Sequence, residues 1–409
     1  MNKGNRTSTR VIACMSLLLA GTAFAAEPIL IGHIGGYSGA CGPFSKGNLN
    51  ASQLAVDEIN AGGGVLGRKI ELRPRDSQSK PDEAAKQARE SIVSDKVDII
   101  TGPCTSSELL SVSAVAKENK TLLWTSQSNT HRANINFGHP YIFQSRANTL
   151  MESRAVADFI ASQKDWKRIV IIGSDFEWPH VVAEQIEQRL KSSRSDVKIA
   201  RSLWPKLGET NFGSYISGGL DENPDLVVLP MFGGSVVNFI KQAKTYGLFQ
   251  RTKLITMLTT DVLQTLGNEL PEGIFGFSPA PFYALSSPKT DAFVKKYTAT
   301  YKQVPDDWAV LGYDSMLQMT EAIRRAGSLD SGAIIDALAA TEYVGLRGKI
   351  RVRKLDGNSN APTFIGVTKK IPGFDFPILT NVTRIDGDSV MPSAAEVMSL
   401  RQPVASSVK

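Results

Sequence analysis

The chain has 409 residues, with 46 Lys and Arg against 40 Asp and Glu and a formal charge of +6. Three of the basic residues, and no acidic one, fall in the first 25 positions, so loss of a leader lowers the charge from +6 to +3, too weak a bias to argue for nucleic-acid binding. The remaining length exceeds one compact core and points to two domains.

Residues 1–25 read as a secretory leader. Lys3, Arg6 and Arg10 precede the apolar run VIACMSLLLA, and Ala23 and Ala25 form the A-x-A pattern of a cleavage site, so the mature chain is expected to begin at Ala26. The alternative takes VIAC as a lipoprotein box acylated at Cys14, but the apolar core would then follow the cut instead of preceding it. Beyond the leader no stretch approaches the roughly 18 uninterrupted apolar residues of a membrane span. The expectation is an exported chain.

From there short apolar runs alternate with helical patterns. In the first half, strands are predicted at 28–34 (PILIGHI), 69–76 (KIELRPRD), 97–101 (VDIIT), 121–126 (TLLWTS) and 141–146 (YIFQSR), with helices at 48–61, 81–95, 106–119 and 148–163. Gly62, Gly63 and Gly64 supply a left-handed end to the first helix, and Pro81 opens the second where a missing N–H costs nothing. Further strands follow at 168–175, 197–204, 225–230, 253–258 and 273–278, with helices at 179–193, 234–247, 306–327 and 331–340. Regular alternation with β-rich apolar runs argues an α/β fold of parallel sheets covered by helices on both faces. The last 60 or so residues change character: KIRVRKLDG and PTFIGVTKK around GNSNA predict a β-hairpin. Blocks of about 26–147 and 148–279 have the size of two like domains.

The catalytic signals are weak. His33, His131, His139 and His180 lack the close pairing of a helical zinc motif, so no metal is expected. GYSGA at 36–40 misses the final glycine of a nucleophile elbow, and GGGVLG follows a helix and so does not fit a dinucleotide loop. No catalytic residue and no cofactor is assigned.

The junction GPCTSSELLSVSAV (102–115) joins a strand to a helix through hydroxyl residues. Such a cluster either caps the helix or leaves its first N–H groups for a small anion. In open parallel sheets ligands sit beyond the carboxyl ends of the strands, where strand order reverses, and the loops after 28–34, 97–101 and 121–126 all lie at such ends.

Across nearly all the mature chain the segments ILIGHIGGYSG, AVDEINAGGGVLGRKIEL, DIITGPCTSSELLSVSAVAKENKTLLWTSQSNT, RIVIIGSDFEW, DLVVLPMFGGSVVNFIKQA and LGYDSMLQMTEAI resemble the solute-binding proteins of ABC importers. The similarity is to the branched-chain amino acid and amide group with the type I periplasmic-binding fold. It implies a bilobal periplasmic binder that hands its solute to membrane permease subunits, with no nucleic-acid partner. In similar proteins a ligand carboxylate is held by loops that here match Thr105 and Ser106, and Ser126, Ser128 and Asn129. An aromatic residue that stacks on the ligand matches Trp178, Phe232 falls in a comparable loop, and Phe44 is a candidate lid contact. The family's acid for the ligand ammonium matches Thr259 and Thr260, with Asp261 next. Asp261, Asp175 or Glu177 would substitute, or the ligand is an aliphatic or aromatic carboxylate or amide without an amino group.

If the strand order is 2-1-3-4-5, the loops carrying Cys41 and Cys104 meet, and a disulfide there would close a loop of about 64 residues. The other possibility is two unpaired small residues. The resemblance implies lobes of 26–147 plus about 280–350 and 148–279 plus about 351–395, a tail at 396–409, and several chain crossings as a hinge. A ligand-sensing module and a secreted hydrolase are the alternative functions.

Overall fold

The computed structural model of the chain describes Met1 and residues 26–401. The expected leader, Cys14 and residues 402–409 lie outside the described residues.

The first half runs β1 (Ile29–Gly35), α1 (Gly42–Ala61), β2 (Ile70–Asp76), α2 (Pro81–Val93), β3 (Ile99–Thr101), α3 (Ser106–Asn119), β4 (Leu122–Thr125) and β5 (Ile142–Gln144). After α4 (Thr149–Ser162) come β6 (Arg168–Ile172), α5 (Glu177–Ser193), β7 (Lys198–Leu203), α6 (Gly213–Leu220), β8 (Leu226–Leu229), α7 (Gly234–Thr245), α8 (Leu248–Arg251), β9 (Lys253–Met257), α9 (Thr260–Leu266) and β10 (Phe275–Ser278). The remainder comprises α10 (Pro288–Tyr301), α11 (Asp307–Ala326), α12 (Ser331–Ala339), β11 (Glu342–Gly345), β12 (Gly348–Arg353), β13 (Asn358–Ser359), β14 (Thr363–Lys369) and β15 (Ile378–Ile385).

These strands form two sheets, ordered β11-β12-β13-β5-β4-β3-β1-β2 and β15-β14-β10-β9-β8-β6-β7. Each contains the same five-stranded parallel unit of order 2-1-3-4-5, β1 to β5 in one and β6 to β10 in the other. The central strands β3, β4, β6, β8 and β9 are apolar runs with almost every residue buried, as expected where helices cover both faces of a parallel sheet. The fold is thus two α/β lobes.

Two expectations change. α1 starts at Gly42, six residues before the predicted start, because Pro43 is tolerated in its first turn; its glycine ending holds, with the positive φ at Gly63 and Gly64 and not at Gly62. The C-terminal hairpin does not form. β12 pairs antiparallel with β11 and β13 in the first sheet, whereas β14 pairs antiparallel with β10 and β15 in the second. The residues between β13 and β14 therefore cross between lobes. Local alternation marks a strand as half-buried but does not name its partner, and each of these edges found one already in place.

β1 lies beside β3, and the adjoining loops bring Cys41 and Cys104 together in a disulfide with Cα atoms 6.4 Å apart. Denatured, unreduced mature protein is expected to show no free thiol with Ellman's reagent. Replacing both cysteines by serine should lower the unfolding free energy by roughly 4 kcal/mol, the chain-entropy value for a loop of this length, read by urea denaturation.

Candidate functional site

The site is built at the carboxyl ends of the strands. Gly102 has φ +91°, and a Cβ there would overlap the Ile34 carbonyl, so only glycine lets the chain leave β3 across the end of β1. Thr105 then caps α3 with a complete capping box: its hydroxyl accepts from Glu108 N at 3.2 Å and its N–H donates to the Glu108 carboxylate at 2.8 Å. The cap is supplied within the chain. The first N–H groups of the helix itself, on Ser106 and Ser107, have no intrahelical partner and face outward with the positive end of the helix dipole.

A cavity of about 50 Å³ lies between the lobes. Its apolar wall takes Phe44 and Trp308 from the first lobe and Phe176, Trp178, Phe232 and Met257 from the second. Phe44 meets Phe232 across the cleft at 5.9 Å between ring centroids and Trp308 at 5.6 Å, and Phe176 and Trp178 stand nearly perpendicular to Phe232. The preferred edge-to-face geometry explains why so many rings share one small volume. Gly233, at φ +55°, has no Cβ because the Phe44 ring occupies that space. Beside the rings, Thr130 Oγ1 donates to Glu177 Oε1 at 2.9 Å across the lobes, with Arg132 Nε 3.8 Å from the same oxygen.

Opposite lies a polar wall of Thr105, Ser106, Gln127, Ser128, Asn129 and Arg146. Arg146 is only 1% exposed. Its guanidinium pairs with the buried Glu152, donates to the Gln127 carbonyl at 2.8 Å and lies 5.3 Å from the centroid of Trp308. Burial raises the Glu152 pKa against the opposing pull of Arg146, and Asn129 Nδ2 donates to the other Glu152 oxygen at 2.6 Å. Around this pair the Gln127 amide, the Ser128 hydroxyl, Arg146 Nε and Trp308 Nε1 are buried with no partner within the protein. Leaving such groups unsatisfied costs about 1–3 kcal/mol each, so this wall suits a solute that accepts hydrogen bonds.

Of the residues singled out from the sequence, Phe44, Thr105, Ser106, Ser128, Asn129, Trp178 and Phe232 stand in the cavity wall. Ser126 and Asp261 do not. The Ser126 hydroxyl accepts from Asn48 Nδ2 at 3.1 Å, behind the wall. Asp261 lies in the first turn of α9 beside Asp306 and Asp307. Asp175 is turned to His180, at 2.7 Å, and Glu177 to Thr130. Phe176, Gln127, Arg146, Met257 and Trp308 were not anticipated. Arg146 follows β5, a strand end on the same edge as the others, so the strand-end rule applied to the fourth loop would have found it; Trp308 carries no such local signal.

The two lobes are also pinned at Asp307, the first residue of α11. Its carboxylate accepts from Thr260 N at 2.8 Å, Thr260 Oγ1 at 2.9 Å and Ala280 N at 3.2 Å, and from the Ser278 hydroxyl. Burial pushes Asp307 up against the pull of its four hydrogen bonds, and pushes Asp306 up and Asp261 up to about 6, the charges of neighbouring acids adding to the effect at these last two. Among the described residues there is no group of three His, Cys, Asp or Glu arranged to hold a metal ion.

Residues 28–370 match the family model for periplasmic binding proteins. The leucine-, isoleucine-, valine-, threonine- and alanine-binding protein of Pseudomonas aeruginosa is 22% identical over 344 residues, 84% of this chain and 91% of that one. A periplasmic binding protein from Burkholderia mallei superposes with a TM-score of 0.82 at 23% identity, covering 90% of this chain and 97% of the other. A solute-binding protein of an ABC transporter from Rhodopseudomonas palustris, solved with 3,4-dihydroxybenzoic acid, superposes with a TM-score of 0.77 at 23% identity, covering 88% and 98%.

Arg146→Gln should destabilise the protein by about 3–5 kcal/mol in urea denaturation, since it leaves Glu152 buried without its partner, and adding Glu152→Gln should recover most of the loss. A carboxyl whose folded pKa is raised stabilises below its unfolded value and loses that contribution as pH rises through the folded one. For Asp261 the loss runs from 3.8 to about 6. Asp261→Asn is therefore expected to raise the melting temperature at about pH 7.5, with the gain fading towards about pH 4.

Proposed function

Because the chain belongs to the periplasmic binding protein family, in the branched-chain amino acid group of its type I fold, we propose that it is the substrate-binding component of an ABC importer. It captures a small carboxylate-bearing solute between its lobes and delivers it to membrane permease subunits. The observation that carries this reading is the cavity between the lobes, where rings from both sides face hydrogen-bond donors that have no partner in the protein. The proposal includes export through the leader, cut after Ala25, and action in the periplasm.

The solute's carboxylate is assigned to the N–H groups of Ser106 and Ser107 at the start of α3, the Ser128 hydroxyl and the Gln127 amide. Its apolar body lies against Phe44, Trp178, Phe232 and Trp308. Charge-assisted hydrogen bonds at a helix N-terminus favour an anion by a few tenths to about 2 kcal/mol. The first-lobe groups bind first; closure adds the rings of the second lobe, and only this added affinity shifts the lobes towards the closed arrangement. The hinge consists of the chain crossings near 147, 280 and 360, and the Phe44 to Phe232 and Thr130 to Glu177 contacts belong to the closed state.

Small-angle scattering of the mature protein should show a smaller radius of gyration with saturating solute than without, and no compaction with any solute in a screen of amino acids, amides and aromatic acids would overturn the proposal. In the same screen a solute at about 100 times its dissociation constant should stabilise the native form by about 2.7 kcal/mol.

A further inference from the structure

Resting on that reading, we infer that the solute is a carboxylic acid with a planar ring or comparably compact apolar body and no cationic group, and that the site rejects α-amino acids.

The first support is the absence of a carboxylate in the cavity wall to pair with an ammonium. No Asp or Glu lines the cavity among the described residues. Glu152 is held by Arg146 and Asn129 and Glu108 by Thr105 and Ser77, while Glu177, outside the cavity wall, is held by Thr130 through one oxygen and has its other oxygen unpartnered. Asp261 belongs to the pinned cluster with Asp306 and Asp307 and is not in the cavity wall; burial and then the charge of Asp307 push its pKa up. The second lobe presents Phe176, Trp178, Phe232 and Met257, none of which accepts a strong hydrogen bond. An ammonium enclosed here would lose its water without gaining an anionic partner, the Gln127 amide oxygen being an uncharged acceptor.

The second support is a fixed cation. Arg146 lies over the Trp308 ring and so takes up the attractive face of that ring. A ring of aromatics could otherwise serve as a cage for a quaternary ammonium, but a second cation would then sit against the guanidinium. The same guanidinium offers Nε, and Trp308 its indole N–H, as unpartnered donors on the cavity wall, which suits a carboxylate. Phe44, Phe176, Trp178 and Phe232 give the cavity a wall of ring surface, the kind of surface against which a planar ring packs favourably.

The test uses isothermal calorimetry on mature protein stripped of bound solute by unfolding and refolding, with ligands matched in pairs that differ only by the α-amino group: 3-phenylpropionate against L-phenylalanine, and 4-methylpentanoate against L-leucine. Benzoate and glycine betaine complete the set. Each deaminated acid is expected to bind about 100-fold more tightly than its amino acid, benzoate to bind, and betaine to give no heat. An amino acid that binds as well as its deaminated partner overturns the inference, as does binding of betaine or silence from all the acids. If leucine binds and scattering shows compaction, the importer reading stands and only this inference falls; if no solute compacts the protein, the reading itself fails.

Discussion

Asp307 is the constraint on which the arrangement of the lobes depends. One carboxylate, at the start of α11 in the first lobe, gathers the N-terminus of α9, the end of β10 and the crossing segment at Ala280, all from the second lobe or the path out of it. Such a buried acid is tolerated because four donors and the positive end of α11 surround it. The next residue is Trp308, whose ring completes the cavity beside Arg146. The joint between the lobes and one wall of the site are therefore consecutive residues, and what fixes the joint also fixes the ring.

Around that joint the cavity divides its labour by lobe. The first lobe supplies nearly all the polar groups, carried on loops that leave β3, β4 and β5, with the disulfide and the Thr105 to Glu108 box holding the loop after β3. The second lobe adds apolar surface. A solute can dock on the polar side while the cleft is open and still gain most of its hydrophobic contact only on closing. This is the differential affinity that a two-state hinge requires. The pair of Arg146 and Glu152 keeps this wall neutral overall while leaving directed donors, so the site recognises an anion by hydrogen bonds and a helix end more than by net charge.

The hydroxyl-rich junction at 102–107 shows how close the sequence came and where it stopped. The residues alone leave capping and anion binding both open; in the structure Thr105 is taken up by the cap while Ser106 stands in the cavity wall. Asp261 illustrates the opposite outcome. Adjacent to the position where similar proteins place an acid, it was a reasonable substitute, yet the first turn of α9 directs it towards Asp306 and Asp307. Gln127 and Arg146 carry no such signal, because a glutamine or an arginine in a polar loop is ordinarily solvated and nothing local says that these two are buried.

By itself the sequence determined the ten parallel strands and the helices between them, since apolar runs and helical periodicity are local signals, and it determined which loops lie at the carboxyl ends of the strands. Strand spacing and a conventional order also sufficed to bring Cys41 near Cys104 as one of two possibilities. Only the tertiary structure decided that β12 and β14 part company into different sheets, that Trp308 and Arg146 meet over the cavity, and that Asp261 turns away from it. Those outcomes depend on pairings between residues from 45 to 214 positions apart, where the energy of a contact is set by burial and by which partner is free, and neither quantity is written in the neighbourhood of the residue concerned.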